Sequence, residues 1–209
     1  STPKPSSAAS DVYKRQVFSY LVNKGKCSKC RKQINGSYLL NEIFAAALLI
    51  YLINLLGPLN PVTWLIFCIA MILYVQALMD LKTLLLSQPL SCLLIVIGLV
   101  ANIGFEIFAV PLNALLGLVF GYGLLFSINQ LYKMLKSQDG IGSGDFLLLS
   151  GIGSILGASA IGPILLLGSS LTICIHVIRK DPQTKELPLG FGLGFGAILY
   201  LLMLITLMQ

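Results

Sequence analysis

Charged residues are scarce in this sequence. Only 11% of its 209 residues are Asp, Glu, Lys or Arg, and 56% are hydrophobic, whereas soluble domains carry about 25% charged residues. Such a chain has too little polar material to cover the surface of a globule, and its mean hydropathy of +0.89 agrees. A soluble enzyme and a disordered chain are therefore excluded. The composition predicts a multi-pass membrane protein.

Histidine is almost absent, since His176 is the only one in the sequence. Zinc sites of the H-E-x-x-H type need two histidines, so that class of hydrolase is excluded. A Ser-His-Asp triad would depend entirely on His176, near the end of an apolar run. Any catalysis by this chain is therefore expected to use other side chains.

Apolar runs divide the chain from residue 39 onward. A helix that crosses the hydrocarbon core needs about 20 apolar residues. Five runs have about that length: 39–56, 62–79, 91–110, 112–132 and 189–208. The run 146–178 is too long for one crossing, and the glycines and proline of 157–163 predict a break there. We expect two short spans, 146–158 and 163–178, and therefore seven crossings in an all-α fold.

Basic residues alternate between the two ends of these spans. They precede the first span and follow the second, fourth and sixth, whereas the connections 57–61, 110–112 and 159–162 contain none. Because Lys and Arg are retained on the cytoplasmic side of a membrane, the pattern places the basic ends there. It also explains the formal net charge of +6 without a nucleic-acid partner.

Composition divides the chain into three parts. Residues 1–16 are rich in Ser, Pro and Ala and differ from the rest of the chain. A natural disordered tail and foreign sequence both explain these residues. We favour foreign sequence, because the segment that follows begins abruptly. We expect a cytoplasmic segment with a Cys-x-x-Cys pair over 17–41 and the membrane domain over 42–209.

Two acidic residues stand at the ends of membrane spans. Asp80 follows the run 62–79 directly, and Asp145 directly precedes the run that begins at Phe146. Ionisable side chains at membrane depth are costly, which makes both candidates for function. An even number of crossings separates them, so they share one face of the membrane, where they could converge. Two independent boundary charges remain the alternative.

Glycines alternate with other residues just before Asp145. The segment 139–145 reads D-G-I-G-S-G-D. Glycine permits positive φ and close backbone approach, so this loop could aim Asp145 at a neighbouring helix. A dinucleotide fingerprint would need a preceding strand and a different spacing, whereas a flexible linker remains open. Among the other acids, Asp139 is expected to be a solvated loop charge, and Glu42 is a candidate without an assigned role.

These residues resemble the type IV prepilin peptidases, which are polytopic aspartic proteases of the bacterial inner membrane. Gly142, Gly144 and Asp145 match the family's Gly-x-Gly-Asp motif, and residues 77–83 around Asp80 resemble its first aspartate motif. Two further stretches, 18–42 and 187–192, resemble the segment before the family's second span and its Pro-Phe-Gly-Pro element. The resemblance covers about residues 17–209.

The sequence departs from the family pattern in several places. Ser87 and Gln88 stand where the family has Pro-Asp, and the element at 187–192 lacks its Phe and second Pro. The family's first helix and first cysteine pair would lie upstream of Val17, where the dissimilar tail stands. These departures bring the activity of the chain into question. They also suggest the low-GC Gram-positive branch, which processes competence pseudopilins.

The resemblance implies a membrane endopeptidase with Asp80 and Asp145 as the catalytic pair and Gly142 and Gly144 in the motif loop. One carboxyl group would act as the base for water and the other as the acid, without a cofactor. The implied substrates are type IV prepilin or pseudopilin precursors, cut after a glycine at the cytoplasmic face of the bilayer. Many members also methylate the new N-terminus from S-adenosylmethionine.

Cys27 and Cys30 supply two of the four ligands that structural zinc requires. Half a zinc site, a redox pair and two unused thiols all remain possible for this pair. Two other functions also remain open for the chain as a whole. One is a transporter or proton-coupled carrier that uses the same aspartates, and the other is an inactive family member that acts in pilus assembly.

Overall fold

The computed structural model describes Lys26, Gln33 and residues 35–179 and 187–207. Within these residues the regular structure is helical, apart from one isolated antiparallel bridge between Lys26 and Gln33. The helices are α1 Ser37–Leu56, α2 Pro61–Thr83, α3 Gln88–Phe105, α4 Pro111–Lys136, α5 Ser143–Leu156, α6 Ala158–Arg179 and α7 Leu189–Leu207. The predicted all-α fold is confirmed.

All of these helices except α5 are long and apolar enough to cross a membrane. The 14 residues of α5 extend about 21 Å at 1.5 Å per residue, less than the hydrocarbon core of about 30 Å. Hydropathy therefore located every helix, but the described residues contain six helices of spanning length rather than seven. The chain is a multi-pass membrane protein.

The break between α5 and α6 falls at a single residue, Gly157, which has a φ of +83°. We expected the interruption to extend to Pro163, and this is wrong, because α6 begins at Ala158 and contains Pro163. Proline removes one N–H from the helical ladder, and close to a helix start that loss affects few bonds. The side chain of Asn113 also supports this start, since its Oδ1 accepts the N–H of Ala158 at 3.1 Å.

The chain divides into two compact units, Ser1–Thr63 and Trp64–Gln209. In the N-terminal unit, α1 ends at Gly57, whose φ of +86° lets its N–H bond back to the carbonyl of Ile53. The hydroxyl of Thr63 donates to the carbonyl of Gly57 at 2.8 Å. These bonds fix the turn that connects α1 to α2.

Helix α5 is the core of the C-terminal unit, and 11 of its 14 residues are buried. It packs against α3, α4, α6 and α7. Gly117 of α4 and Gly153 of α5 face each other so closely that a Cβ atom on either would overlap the carbonyl of the other. Small residues permit such close helix packing within membranes. Because neighbouring helices enclose α5, this helix does not have to be long enough to cross the bilayer on its own.

The C-terminal end of α5 lies inside the protein, and the amide of Asn102 binds it. The Nδ2 of Asn102 donates to the carbonyls of Ser154 at 2.9 Å and Ile155 at 2.7 Å. Its Oδ1 accepts the N–H groups of Phe108 and Ala109, both at 3.0 Å. Carbonyl groups at a helix end have no partner within the helix, and leaving them unpaired away from water is costly. Asn102 therefore fixes where α5 ends.

Candidate active site

Asp80 lies near the end of α2 and is 5% exposed. Its Oδ2 accepts the backbone N–H of Phe191 at 2.8 Å, and the N–H of Gly190 faces the same carboxylate. Both N–H groups belong to the first turn of α7, which has no earlier helical carbonyls to pair with. The carboxylate of one helix thus caps the start of another, which holds Asp80 in a defined orientation.

Asp145 is the third residue of α5 and is 9% exposed. Its backbone N–H bonds to the carbonyl of Gly142 at 3.1 Å. Its Oδ1 is buried and has no hydrogen-bond partner among the described residues. The charge of Asp80 acts on this carboxyl group. The structure therefore brings Asp80 and Asp145, 65 positions apart in the sequence, within electrostatic range of each other.

Gly190 lies between the two carboxyl groups. Its N–H faces Asp80, and a Cβ atom on it would come within 3.1 Å of Oδ1 of Asp145. The side chain of Leu86, from the loop between α2 and α3, packs on the same glycine, with Cδ1 at 2.8 Å from that Cβ position. The site is thus a pair of acids with a bare backbone between them and an apolar side chain beside them.

Two glycines of the loop before Asp145 are required by the close approach of neighbouring side chains. Of the two properties of glycine considered for this loop, positive φ is not used, since among the described glycines only Gly57 and Gly157 have it. Gly142 is extended, with φ −68° and ψ 142°, and caps α5. A Cβ atom on Gly144 would lie 2.8 Å from Cβ of Leu86, and one on Gly140 would lie 2.7 Å from the ring of Tyr132. Close approach is therefore the reason for glycine at 140 and 144.

A cluster formed by Asn129, Lys133 and Asp139 was not predicted from the sequence. Asp139 accepts hydrogen bonds from Nζ of Lys133 and Nδ2 of Asn129, both at 3.1 Å. These two bonds hold the pKa of Asp139 below its ordinary value. Asp139 is a solvated loop charge, as expected, with a side chain that is 59% exposed, but its two hydrogen-bond partners were not predicted. The available signal was a pair of adjacent amide residues, Asn129 and Gln130, near the end of an apolar helix.

The other candidate residues are not part of this pair of acids. Glu42 lies on α1 in the N-terminal unit and is partly exposed. Cys27 and Cys30 lie outside the described residues, as does the segment 1–16. Within the described part of the chain, no three His, Cys, Asp or Glu side chains are grouped as a metal site would require.

Comparisons with known proteins place the chain in a family. Residues 65–178 match the family model described as the type IV leader peptidase family. Residues 14–55 match the one described as the bacterial peptidase A24 N-terminal domain. No solved structure matches significantly.

Curated relatives agree with these matches. A protein of Aeromonas salmonicida named prepilin leader peptidase/N-methyltransferase is 34% identical over 182 residues, which are 83% of this chain and 60% of the relative. Proteins with the same name from Pseudomonas aeruginosa and Burkholderia pseudomallei are 34% and 30% identical, over 84% and 90% of this chain and 61% and 64% of theirs. The chain spans about three fifths of the length of these relatives. The first family model matches more than half of the chain, and the chain therefore belongs to the type IV leader peptidase family.

Proposed function

We propose that this chain is the membrane-embedded part of an aspartic endopeptidase, with Asp80 and Asp145 as its catalytic pair. The observation that carries the proposal is the convergence of these two buried carboxyl groups on the backbone of Gly190. Burial of unpaired acids is costly, so their proximity calls for a functional explanation. The relatives' names indicate the substrate class, the leader segment of prepilin-like precursors.

The pair can hydrolyse a peptide bond through one shared proton. One ionised carboxylate takes a proton from water, whose oxygen attacks the scissile carbonyl carbon. The protonated partner gives its proton to the carbonyl oxygen. Collapse of the tetrahedral intermediate then breaks the C–N bond, as the amine takes the proton that the first carboxylate received from water and a hydroxyl group of the intermediate returns a proton to the partner. Two adjacent carboxyl groups favour this singly protonated state, because two negative charges at short range repel each other.

The contacts of the two acids suit different parts of this reaction. The Phe191 N–H holds Oδ2 of Asp80, which orients that carboxyl group before a substrate binds. Oδ1 of Asp145 has no hydrogen-bond partner among the residues described, so it remains available to the reacting water or carbonyl. Preorganised groups of this kind lower the cost of reaching the transition state.

Cleavage is proposed at the cytoplasmic face of the bacterial plasma membrane. Lys82 follows Asp80 by two residues, and Lys133 and Lys136 lie in the last turn of α4. Since basic residues favour the cytoplasmic side, the ends of α2 and α4 that lead into the site are expected there. The substrate would present a short basic leader followed by an apolar helix. Methylation from S-adenosylmethionine remains a prediction from the resemblance and the relatives' names, without assigned residues.

The decisive experiment is cleavage of a prepilin-like substrate by the full chain in membranes. Asp80→Asn and Asp145→Asn keep the size of each side chain but remove the acid, so each should abolish the shortened product. Glu106→Gln is the matched control, because Glu106 is an exposed acid at the end of α3, and it should cleave at the wild-type rate. Full activity in either aspartate variant would refute the catalytic pair.

The same assay separates the proposal from the two alternatives, and measurements of transport and of substrate binding separate these from each other. A proton-coupled carrier would leave the substrate uncut, and its aspartate variants would lose transport. An inactive member that acts in pilus assembly would leave the substrate uncut but still bind it; the departures at Ser87 and Gln88 favour this alternative. Lack of product with the wild-type chain would therefore reject the endopeptidase proposal.

Thiol labelling tests the proposed orientation. Cys68, Cys92 and Cys174 are free and exposed on their helices, so a variant with serine at these three positions leaves Cys27 and Cys30 as the reactive pair. An impermeant reagent added to sealed cells should label this pair only after the membrane is opened. Labelling of intact cells would reverse the orientation.

A further inference from the structure

Asn129 connects helix α4 to the loop that leads to Asp145. It is 7% exposed, and its Oδ1 accepts the backbone N–H groups of Gly140 at 2.8 Å and Ile141 at 3.0 Å. Its Nδ2 donates to Oδ1 of Asp139 at 3.1 Å. One amide side chain thus binds three consecutive residues at the start of the motif loop.

Asp139 determines which way the Asn129 amide points. A carboxylate only accepts hydrogen bonds, so it selects the NH₂ end of the amide and leaves the carbonyl oxygen for the two backbone N–H groups. The reversed orientation would place the NH₂ group against two donors and the oxygen against a negative charge. Lys133, at 3.1 Å from the other oxygen of Asp139, stabilises the carboxylate.

The two N–H groups that Asn129 binds lie four and five residues before Asp145. Ile141 is followed by Gly142, the cap of α5, whose carbonyl accepts the N–H of Asp145 at 3.1 Å. Oδ1 of Asp145 has no partner of its own within the described part of the chain. The position of this carboxyl group therefore depends on where the backbone of the loop and the first turn of α5 are held.

Resting on the function proposed above, we propose that Asn129 is a positioning residue that holds the motif loop and thereby places Asp145 opposite Asp80. The ring of Tyr132, from the same helix as Asn129, packs on Gly140 of this loop. Neither Asn129 nor Tyr132 contacts the reacting atoms. A displacement of about 1 Å at a catalytic group can lower a rate by about 100-fold, so loosening the loop should slow the chemical step.

A charge exchange between Asn129 and Asp139 tests this inference. Asn129→Asp keeps an oxygen for the Gly140 and Ile141 N–H groups but sets two carboxylates against each other. It should lower kcat for a prepilin-like peptide about 10- to 100-fold, with KM changed less than about threefold. The double variant Asn129→Asp with Asp139→Asn restores a donor facing an acceptor, and kcat should return to within about threefold of wild type.

Asn102→Ala is the control for a purely structural effect. It removes two hydrogen bonds to the opposite end of α5 and two to the connection between α3 and α4, and it should lower stability while kcat of the folded protein stays unchanged. A wild-type kcat in Asn129→Asp, or no recovery in the double variant, would overturn the inference. If Asn129→Asp does not fold, Asp139→Ala is used in its place, and kcat should again fall with KM retained; a wild-type kcat there would likewise overturn the inference.

Hydrogen exchange gives a readout that does not depend on cleavage. The amides of Gly140 and Ile141 should exchange faster in Asn129→Asp and return to the wild-type rate in the double variant. Lack of cleavage by the wild-type chain would reject the proposed function. The exchange rates of these two amides would then still test whether Asn129 holds the loop. Unchanged exchange in Asn129→Asp would reject that role.

Discussion

The backbone N–H of Phe191 donates a hydrogen bond to Oδ2 of Asp80 across 2.8 Å. It joins the start of α7 to the end of α2, between residues 111 positions apart. Because the donor is a main-chain group, most substitutions at 191 leave it in place. The orientation of Asp80 therefore depends on the position of α7 rather than on the side chain at 191.

Two substitutions of Phe191 distinguish the effect of its backbone N–H from the effect of its ring. Phe191→Pro removes the donor, and proline is tolerated in the first turn of a helix, where the N–H has no helical partner. Phe191→Ala keeps the donor and removes the ring that packs on Phe195 at 4.7 Å between centroids. We expect cleavage to fall at least about tenfold in Phe191→Pro and much less in Phe191→Ala. Equal losses in rate measurements would show that the ring, and not the N–H, matters.

A methyl group at position 190 should disturb the pair of acids. In Gly190→Ala the new Cβ would lie 3.1 Å from Oδ1 of Asp145. The methyl groups of Leu86 can rotate away, whereas Asp145 is held by the backbone of α5, so cleavage should fall about tenfold or more. Gly123→Ala is the control, because its Cβ would meet nothing within 4 Å. It should cleave normally and, as alanine favours helices, match or exceed wild-type stability.

Asn102 should contribute strongly to stability. Asn102→Ala leaves the carbonyls of Ser154 and Ile155 and two backbone N–H groups without these hydrogen bonds. Unpaired buried polar groups cost about 1–3 kcal/mol each, so the thermal midpoint in detergent should drop clearly. Ser170→Ala, which removes one exposed bond to the carbonyl of Leu166, should leave it nearly unchanged. A similar midpoint in both variants would contradict this role of Asn102.

The Asp139 cluster predicts a specific dependence on pH. Hydrogen bonds from Lys133 and Asn129 hold the pKa of Asp139 below its ordinary value of 3.8. Its contribution to stability is therefore complete above that ordinary value and is lost as pH falls through the lowered pKa. The difference in melting temperature between wild type and Asp139→Asn should be constant from neutral pH down to about 5 and should shrink at lower pH. A difference that widened on acidification would contradict the sign of this shift.

Hydropathy predicted the helices because length and apolar composition are properties of each segment alone. The end of α5 was harder to place, since Gly157 and Pro163 both weaken helices and only the packing selects between them. The support that Asn113 gives to the N–H of Ala158 comes from a residue 45 positions away. A contact between residues so far apart in the chain leaves no local pattern in a single sequence.

The two acids were selected from the sequence because charge at membrane depth is conspicuous, and crossing parity predicted that they share a face, which agrees with their proximity in the structure. Asn129 and Asn102 were missed because a neutral amide in an apolar helix hardly changes hydropathy. The donor from Phe191 could not be found by residue type, since every residue except proline carries the same N–H. Polar residues inside predicted spans were the remaining usable signal, and Gln76, bonded to Ser91 at 3.1 Å in the core, belongs to the same class.

Because α5 is short, the position of Asp145 depends on the number of residues in this helix. Because α5 ends at Gly157 and packs closely on α4 through Gly153, each residue inserted between Asp145 and Gly153 would move Asp145 along the helix axis by about 1.5 Å and turn it by about 100°. A single insertion would thus swing the carboxyl group away from Asp80, and a full turn would leave it several ångströms out of register. The position at which the proposed pair would meet a peptide bond is therefore set by the number of residues between Asp145 and Gly157.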